Sequence, residues 1–322
     1  MSKTIRQLAI ISRAEFLLPN LGSLTMGLAW SASPPLSLTE MAILVVLSFT
    51  IINLSSAIGA QANTISDHEL DSRDDRKEKL VQALDSFGHD RLKKVLVVEF
   101  VVTLALVVLF MLAKAKPVLL LMWVVGISLG CLYSTPPLRI KSKSWLAPVT
   151  LILVLAVFPI LFVYFTFTSR LDPVFLLALV GLALTVYGVI IPTEIRDYFG
   201  DKVMGIETMT VHLGLVRAAL FGIMLLSLGG TLIGIAFFIT FAYGQYLLLS
   251  LLVLAIAIAD LIVLRKLRKL YTLSKEYENS NAKNLIAQEI TNLSANNPKW
   301  IMLVTQTYSF ISIVMLVRKF LH

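Results

Sequence analysis

The stretch ILVVLSFTIINLSSAIGAQANTISDHELD, residues 43–71, decides the fold class of this chain. Residues 43–60 are mostly apolar and carry no charge, and a helix needs about 20 such residues to cross a bilayer. The stretch then changes character, because Asn63, Asp67 and Asp71 follow at its end. It therefore predicts a membrane-spanning helix that ends in oxygen-bearing side chains.

The composition of the whole chain indicates a membrane protein. Of its 322 residues, 57% are hydrophobic and 15% are charged, and the mean hydropathy is +0.83, which is too apolar for a soluble domain. The apolar runs are continuous rather than alternating, which excludes a β-barrel. We predict an all-α, polytopic membrane protein that forms one domain, residues 1–322, with nine transmembrane helices. The predicted spans are residues 14–32, 38–61, 92–113, 117–135, 145–168, 173–196, 215–241, 245–265 and 299–320.

The lysines and arginines predict the orientation of the chain in the membrane. If the N-terminus is cytoplasmic, all but five of the 28 basic residues lie on the cytoplasmic side. The five others are Lys114, Lys116, Arg170, Arg318 and Lys319. This asymmetry also accounts for the net charge of +8, so no nucleic-acid partner is needed to explain it. The predicted cytoplasmic loops are residues 62–91, 136–144, 197–214 and 266–298.

The polar residues that end the opening stretch follow a helical pattern. Asn63, Asp67 and Asp71 are four residues apart, so on a continuing helix they drift by only about 40° per step and share one face. Alone, such a segment is also typical of an ordinary solvated loop.

A second acidic segment repeats this spacing after the sixth predicted span. Asp197 and Asp201 are four residues apart, and Glu194 precedes them on the same side. Four predicted spans separate Asp67 from Asp197, so both segments end on the same membrane face, as in a weak parallel repeat. Facing carboxylates repel each other unless cations lie between them. Oxygen ligands of this kind suit Mg²⁺, which shares its coordination with substrate phosphates, and a diphosphate is the natural bridging ligand.

A basic segment, YSTPPLRIK at residues 133–141, follows the fourth span. Its two prolines stiffen the backbone, and an extended backbone would point Arg139 and Lys141 to the same side. These cations could hold diphosphate oxygens. The segment is equally typical of a turn that obeys the positive-inside rule.

Together these motifs resemble those of the UbiA superfamily of intramembrane prenyltransferases. The shared features are NxxxDxxxD after the second span, DxxxD followed by GIETMTVHLG after the sixth, the YSxPPLRxK loop and the nine spans. The resemblance covers nearly the whole chain, and the loop is most similar to that of digeranylgeranylglyceryl phosphate synthases and chlorophyll synthases. Two positions depart from the pattern: Thr64 stands where many members have aspartate, and Glu207 where many have a basic residue.

The resemblance implies a helical bundle around a central cavity with a cytoplasmic mouth. Mg²⁺ ions at that mouth would bind an allylic prenyl diphosphate, and the acceptor would be a small aromatic, lipid or isoprenoid molecule. The implied metal ligands are Asp67, Asp71, Asp197 and Asp201, with Asn63 in the same polar shell.

Further residues enter the implied site as substrate contacts. Arg139 and Lys141 would contact the diphosphate, and Arg13 is a weaker basic candidate. The rings of Tyr133, Tyr187 and Tyr198 could stabilise an allylic cation, although tyrosines are also common at membrane interfaces.

Two alternative functions remain open from the sequence. One is terpene cyclisation on the same scaffold, with the cation quenched internally. The other is an ion-coupled secondary transporter, which the repeat and the carboxylates Glu99 and Asp260 inside predicted spans would suit. We expect both carboxylates to find basic partners near the membrane interface instead.

Other features of the sequence predict little chemistry. The spacing of the four histidines, which include His68 and His89, indicates no metal site. Residues 270–298 carry apolar side chains at helical spacing and predict an amphipathic helix on the cytoplasmic membrane surface.

Overall fold

A computed structural model describes residues 2–32, 37–73, 77–243 and 247–321. Within these residues the regular structure is entirely helical, which confirms the predicted all-α fold. The helices are α1 Lys3–Ile11, α2 Leu17–Ser31, α3 Leu38–Asp71, α4 Glu78–Phe87, α5 His89–Lys114, α6 Pro117–Leu132, α7 Leu146–Ile152, α8 Phe158–Phe167, α9 Pro173–Val203, α10 Met209–Leu213, α11 Leu215–Tyr243, α12 Val253–Asn279, α13 Lys283–Ser294 and α14 Asn297–Leu321.

The helices match the predicted spans in position, but not all of them in length. Within the described residues, seven helical segments are long and apolar enough to cross a membrane. The predicted span 117–135 corresponds to α6, a shorter apolar helix, and the predicted span 14–32 corresponds to α2, which has 15 residues. The membrane-spanning fold is therefore confirmed, while the number nine is approximate.

The two helices that carry the acidic motifs continue beyond their predicted spans. Helix α3 has 34 residues and α9 has 31, so at 1.5 Å per residue they are about 51 and 47 Å long, whereas a bilayer core is about 30 Å thick. The predicted loops 62–91 and 197–214 therefore begin as helix. This extension keeps each acidic motif on one rigid, regular face.

The interior contains several hydrophobic clusters, and two of them are important for the site. In the first cluster, buried residues of α9 and α11 pack with residues of α2, α8, α12, α13 and α14. In the second, buried residues of α3 pack with α5, α6 and one buried residue of α8. Among the described residues, the first cluster includes no member of α3 and the second includes no member of α9. The helices that carry the two acidic motifs thus belong to different clusters.

The predicted amphipathic helix exists as α13, but its apolar face packs on protein. Ile290 is buried, and Ile286 and Leu293 pack against the first hydrophobic cluster, whereas Leu285 is exposed. Helix α13 contacts α9 and α12. Its amphipathic pattern is therefore accounted for largely by burial within the bundle rather than by docking to lipid.

Helices α9 and α11 approach closely where two glycines face each other. A Cβ atom on Gly181 would lie 2.8 Å from the carbonyl oxygen of Gly229 and 2.8 Å from the backbone nitrogen of Ile233. Because both of these atoms belong to the backbone, the helices would have to move apart to admit a side chain.

We expect Gly181→Ala to destabilise the protein by about 1–3 kcal/mol, as overpacking of a close contact usually does. The measurement is the midpoint of thermal unfolding of the purified protein in detergent. Gly59→Ala on α3 is the matched control, since a Cβ atom there meets no described heavy atom within 4 Å. An equal midpoint for the two variants would contradict the close contact.

Candidate active site

Two basic side chains converge on the first acidic motif. Asp67 is buried near the end of α3, and Nη2 of Arg139 donates to its Oδ1 at 3.0 Å. The ammonium group of Lys141 pairs with the other carboxylate oxygen of Asp67. One buried carboxylate therefore holds both cations of the YSTPPLRIK segment.

The other members of the first motif also have polar partners. Nζ of Lys77 lies 2.6 Å from Oδ1 of Asp71, whose side chain is 5% exposed. The side-chain oxygen of Asn63 accepts a hydrogen bond from the hydroxyl of Ser134, which follows α6. The column along α3 is thus linked to the YSTPPLRIK segment at both Asn63 and Asp67.

The backbone of this segment differs from the extended form that the sequence predicts. Arg139 has φ 40° and ψ 59°, in the left-handed region that side chains other than glycine seldom adopt, and a short 3₁₀ turn, Ile140–Ser142, follows it. The backbone N–H of Lys141 donates to the carbonyl of Tyr133 at 2.9 Å. This turn brings Arg139 and Lys141 to the same carboxylate. The two side chains therefore meet, as predicted, but the backbone that carries them is not extended, so that part of the prediction is wrong. Such backbone conformations cluster at functional sites.

The second acidic motif lies on the last turns of α9. Arg196 binds Asp197 with two hydrogen bonds, from Nε at 2.9 Å and from Nη2 at 3.0 Å. One turn earlier, Glu194 accepts hydrogen bonds from Tyr187 and Thr210, each at 2.9 Å. The carboxylate of Glu194 is thus held by two neutral donors.

Electrostatic interactions link the two motifs. Burial raises the pKa of Tyr133, and the negative charges of Glu194, Asp201 and Asp67 raise it further. Burial and the negative charge of Asp197 raise the pKa of Asp201 to about 6, while the positive charges of Lys77 and Lys141 act in the opposite direction. The end of α3, the end of α9 and the segment after α6 therefore lie close enough together for their charges to interact.

Lys141 is the more deeply buried cation in this region. Its side chain is 16% exposed, and that of Arg139 is 33% exposed. Burial lowers the pKa of Lys141, while the adjacent Asp67 carboxylate acts in the opposite direction. Lys141 therefore needs a nearby negative charge to stay protonated, and a bound anion can supply that charge.

The remaining predicted residues have other contacts. Tyr198 is buried, packs edge-on against Phe199 with ring centroids 5.3 Å apart, and has the ammonium of Lys202 5.7 Å from its ring centre. Arg13, in the turn before α2, forms an ion pair with Glu15 at 3.5 Å. Neither contact ties these residues to the acidic motifs.

The structure also adds residues that the sequence did not single out as partners of the motifs. Lys77 lies six residues beyond Asp71, outside the four-residue spacing, so the pattern gave no signal for it. Ser134 and Thr210 become visible only when segments distant in sequence meet. Tyr187 lies seven residues before Glu194, about two helical turns, and that spacing could have indicated a shared face.

Among the described residues, the carboxylates inside the membrane spans have neutral hydrogen-bond partners, which corrects the prediction of basic ones. Glu99 accepts a hydrogen bond from Gln61 at 2.7 Å, and Gln61 also donates to Ser12. Asp260 accepts from the hydroxyl of Tyr308 at 3.2 Å. Both carboxylates lie against buried polar side chains that serve as partners in place of arginine or lysine.

A model of the UbiA prenyltransferase family matches residues 20–279. A search of curated proteins finds no match.

Several solved structures share the fold. A UbiA homologue from Archaeoglobus fulgidus, bound to GPP and Mg²⁺, has a TM-score of 0.61 and 17% identity over 93% of this chain and 99% of that chain. A homologue from Aeropyrum pernix K1 without ligand has a TM-score of 0.61 and 16% identity, covering 94% and 98%. A structure of digeranylgeranylglyceryl phosphate synthase has a TM-score of 0.61 and 15% identity, covering 97% and 100%. With the family model matching most of its length, this chain belongs to the UbiA prenyltransferase family.

Proposed function

We propose that this protein transfers a prenyl group from an allylic prenyl diphosphate to a small aromatic, lipid or isoprenoid acceptor within the membrane. The observation that carries this proposal is the double pairing of Asp67 with Arg139 and Lys141, beside the charges of Asp71 and Asp201. A site with several carboxylates and several cations can bind a diphosphate together with a divalent metal. The solved homologue bound to GPP and Mg²⁺ supports the same conclusion.

The donor set of the site fits Mg²⁺. All proposed ligand atoms are oxygens, from Asp67, Asp71, Asp197, Asp201 and Asn63, and hard oxygen ligands are those that Mg²⁺ prefers. The metal would neutralise charge that develops on the leaving diphosphate. The distribution of basic residues predicts that the site and the N-terminus both lie on the cytoplasmic side, and this orientation is part of the proposal.

The basic residues of the chain would bind and orient the diphosphate. Arg139 can offer a planar pair of N–H donors, and Lys141 a compact positive charge, to phosphate oxygens. As the bond from the allylic carbon to oxygen breaks, these cations would stabilise the negative charge on the departing group. Tyr133 would present its ring to the allylic cation. The acceptor then forms a bond to the allylic carbon and gives up a proton, which the released diphosphate can accept.

The test is prenyl transfer by the purified protein in lipid nanodiscs. Radiolabelled geranyl diphosphate and Mg²⁺ are supplied with and without a lipid extract as the source of acceptor. We expect diphosphate release and a labelled lipid product that require both Mg²⁺ and the extract. A labelled product formed equally well without the extract would indicate a cyclase. Ion-coupled flux into proteoliposomes without diphosphate release would indicate a transporter.

We expect Lys141 to determine how the affinity for prenyl diphosphate changes with pH. Because burial lowers the pKa of this lysine, the wild type should lose affinity for prenyl diphosphate as the pH rises through that lowered pKa. Lys141→Arg, whose guanidinium stays charged, should keep its affinity to higher pH. The measurement is KM against pH. Lys143→Arg is the control, since Lys143 is exposed two residues away, and an equal effect of both variants would contradict the assignment.

A further inference from the structure

A second group of ligand-type side chains lies just outside the proposed active site. His68 follows Asp67 on α3, and one step along a helix rotates the side chain by about 100°, so the two residues face different neighbours. His68 meets Asp85 of α4 and His89, the first residue of α5. Three helices therefore contribute one side chain each.

The geometry of this cluster is compact. Nε2 of His68 lies 2.8 Å from Oδ1 of Asp85, and the rings of His68 and His89 meet at right angles with centroids 4.6 Å apart. One potential ligand atom from each of the three side chains lies within 4.8 Å of the other two. In a tetrahedral zinc site with bonds of about 2.0–2.1 Å, neighbouring ligand atoms are about 3.3 Å apart. Small side-chain rotations would close the cluster around an ion.

The chemistry of the donors favours a different metal from that of the active site. Two imidazoles and one carboxylate suit Zn²⁺ and similar transition metals, whereas Mg²⁺ prefers oxygen ligands alone. The side chains of His68 and Asp85 are 26% and 55% exposed, so an ion can reach them from water and keep a water ligand. We propose that His68, Asp85 and His89 bind a transition metal ion of the Zn²⁺ class.

Binding there would fasten α4 to α3 and α5. Ala83, Leu84 and Phe87 of α4 are buried in a small hydrophobic cluster. Ile11 of α1 and Leu92 of α5 belong to the same cluster. A metal bond across the same three helices would add a constraint that acts together with this packing. The proposed function does not depend on this site, and the site does not depend on the proposed function.

The test is Zn²⁺ binding by the full-length protein, with any affinity tag removed. Titration is carried out in millimolar Mg²⁺, which occupies oxygen-only sites without competing for imidazole. We expect Zn²⁺ to raise the midpoint of thermal unfolding, and Cu²⁺ bound in its place to show nitrogen hyperfine coupling in its electron paramagnetic resonance spectrum. His89→Gln and Asp85→Asn should each weaken Zn²⁺ binding by at least about tenfold.

The control is His212→Gln, which removes a histidine on α10, beside Trp145, and should leave Zn²⁺ binding unchanged. Asp85→Asn is included beside His89→Gln because Asp85 is exposed. This variant should remain folded even if His89→Gln lowers the stability of the protein. Equal Zn²⁺ affinity in the wild type and both variants would overturn the proposal. So would a wild-type unfolding midpoint that Zn²⁺ does not change, because the cluster would then be only a polar contact between helices.

Discussion

Prenyl diphosphate turnover should fall at least about a hundredfold when Asp67 is replaced by asparagine, since removal of one charged group from an electrostatic site has effects of this order. The reason is specific to this carboxylate: it is buried, and it pairs with both Arg139 and Lys141. Asparagine keeps the size of the side chain but removes its charge. Asp197→Asn should lower turnover to a similar extent, because the second motif provides the other proposed metal ligands.

The measurement for both variants is the rate of diphosphate release under saturating Mg²⁺. Glu69→Gln is the matched control, as it neutralises an exposed carboxylate on the same helix that pairs only with Arg73 in the described contacts. Thermal unfolding midpoints show whether the variants remain folded. Turnover by folded Asp67→Asn within a factor of a few of the Glu69→Gln rate would refute the proposed mechanism.

The second large effect is expected for Lys141→Gln. A hydrogen bond to a charged group is worth about 1.5–3 kcal/mol, so loss of this cation should raise KM for prenyl diphosphate by about ten- to a hundredfold. Its effect on binding should exceed that of Lys143→Gln, which removes an exposed charge two residues along the chain. Steady-state kinetics with varied prenyl diphosphate compare the two variants. If both have the wild-type KM, Lys141 does not contact the diphosphate.

The sequence predicts the main features of the fold because they depend on short-range patterns. Continuous apolar runs require helices in a bilayer, since only helices satisfy their own backbone hydrogen bonds there. The four-residue spacing of Asp67 and Asp71 predicts a continued helical face, and α3 does extend to Asp71. The first and fourth predicted spans, residues 14–32 and 117–135, are longer than the helices that form there, since α2 has 15 residues and α6 has 16.

The details of the site depend on contacts between distant segments, and local patterns carry little information about these. The left-handed conformation of Arg139 has no glycine to indicate it, and Lys77 reaches Asp71 from outside the helical spacing. His68 and His89 meet because α4 folds back between them, so their 21-residue separation gave no sign of a cluster. Likewise, α13 has the pattern of a surface helix, yet Ile286, Ile290 and Leu293 pack in the first hydrophobic cluster and the helix contacts α9 and α12.

The placement of α3 and α9 in different hydrophobic clusters has a consequence for how the protein responds to its surroundings. The two halves of the proposed ligand set are carried by helices that pack in different clusters, and α8 has buried residues in both of these clusters. A change in bilayer thickness, or an acceptor bound between these helices, would alter the distance between the two halves through α2 and α8, which also pack against α3. We therefore expect the lipid environment to affect the distance between the proposed metal ligands, and with it the turnover rate.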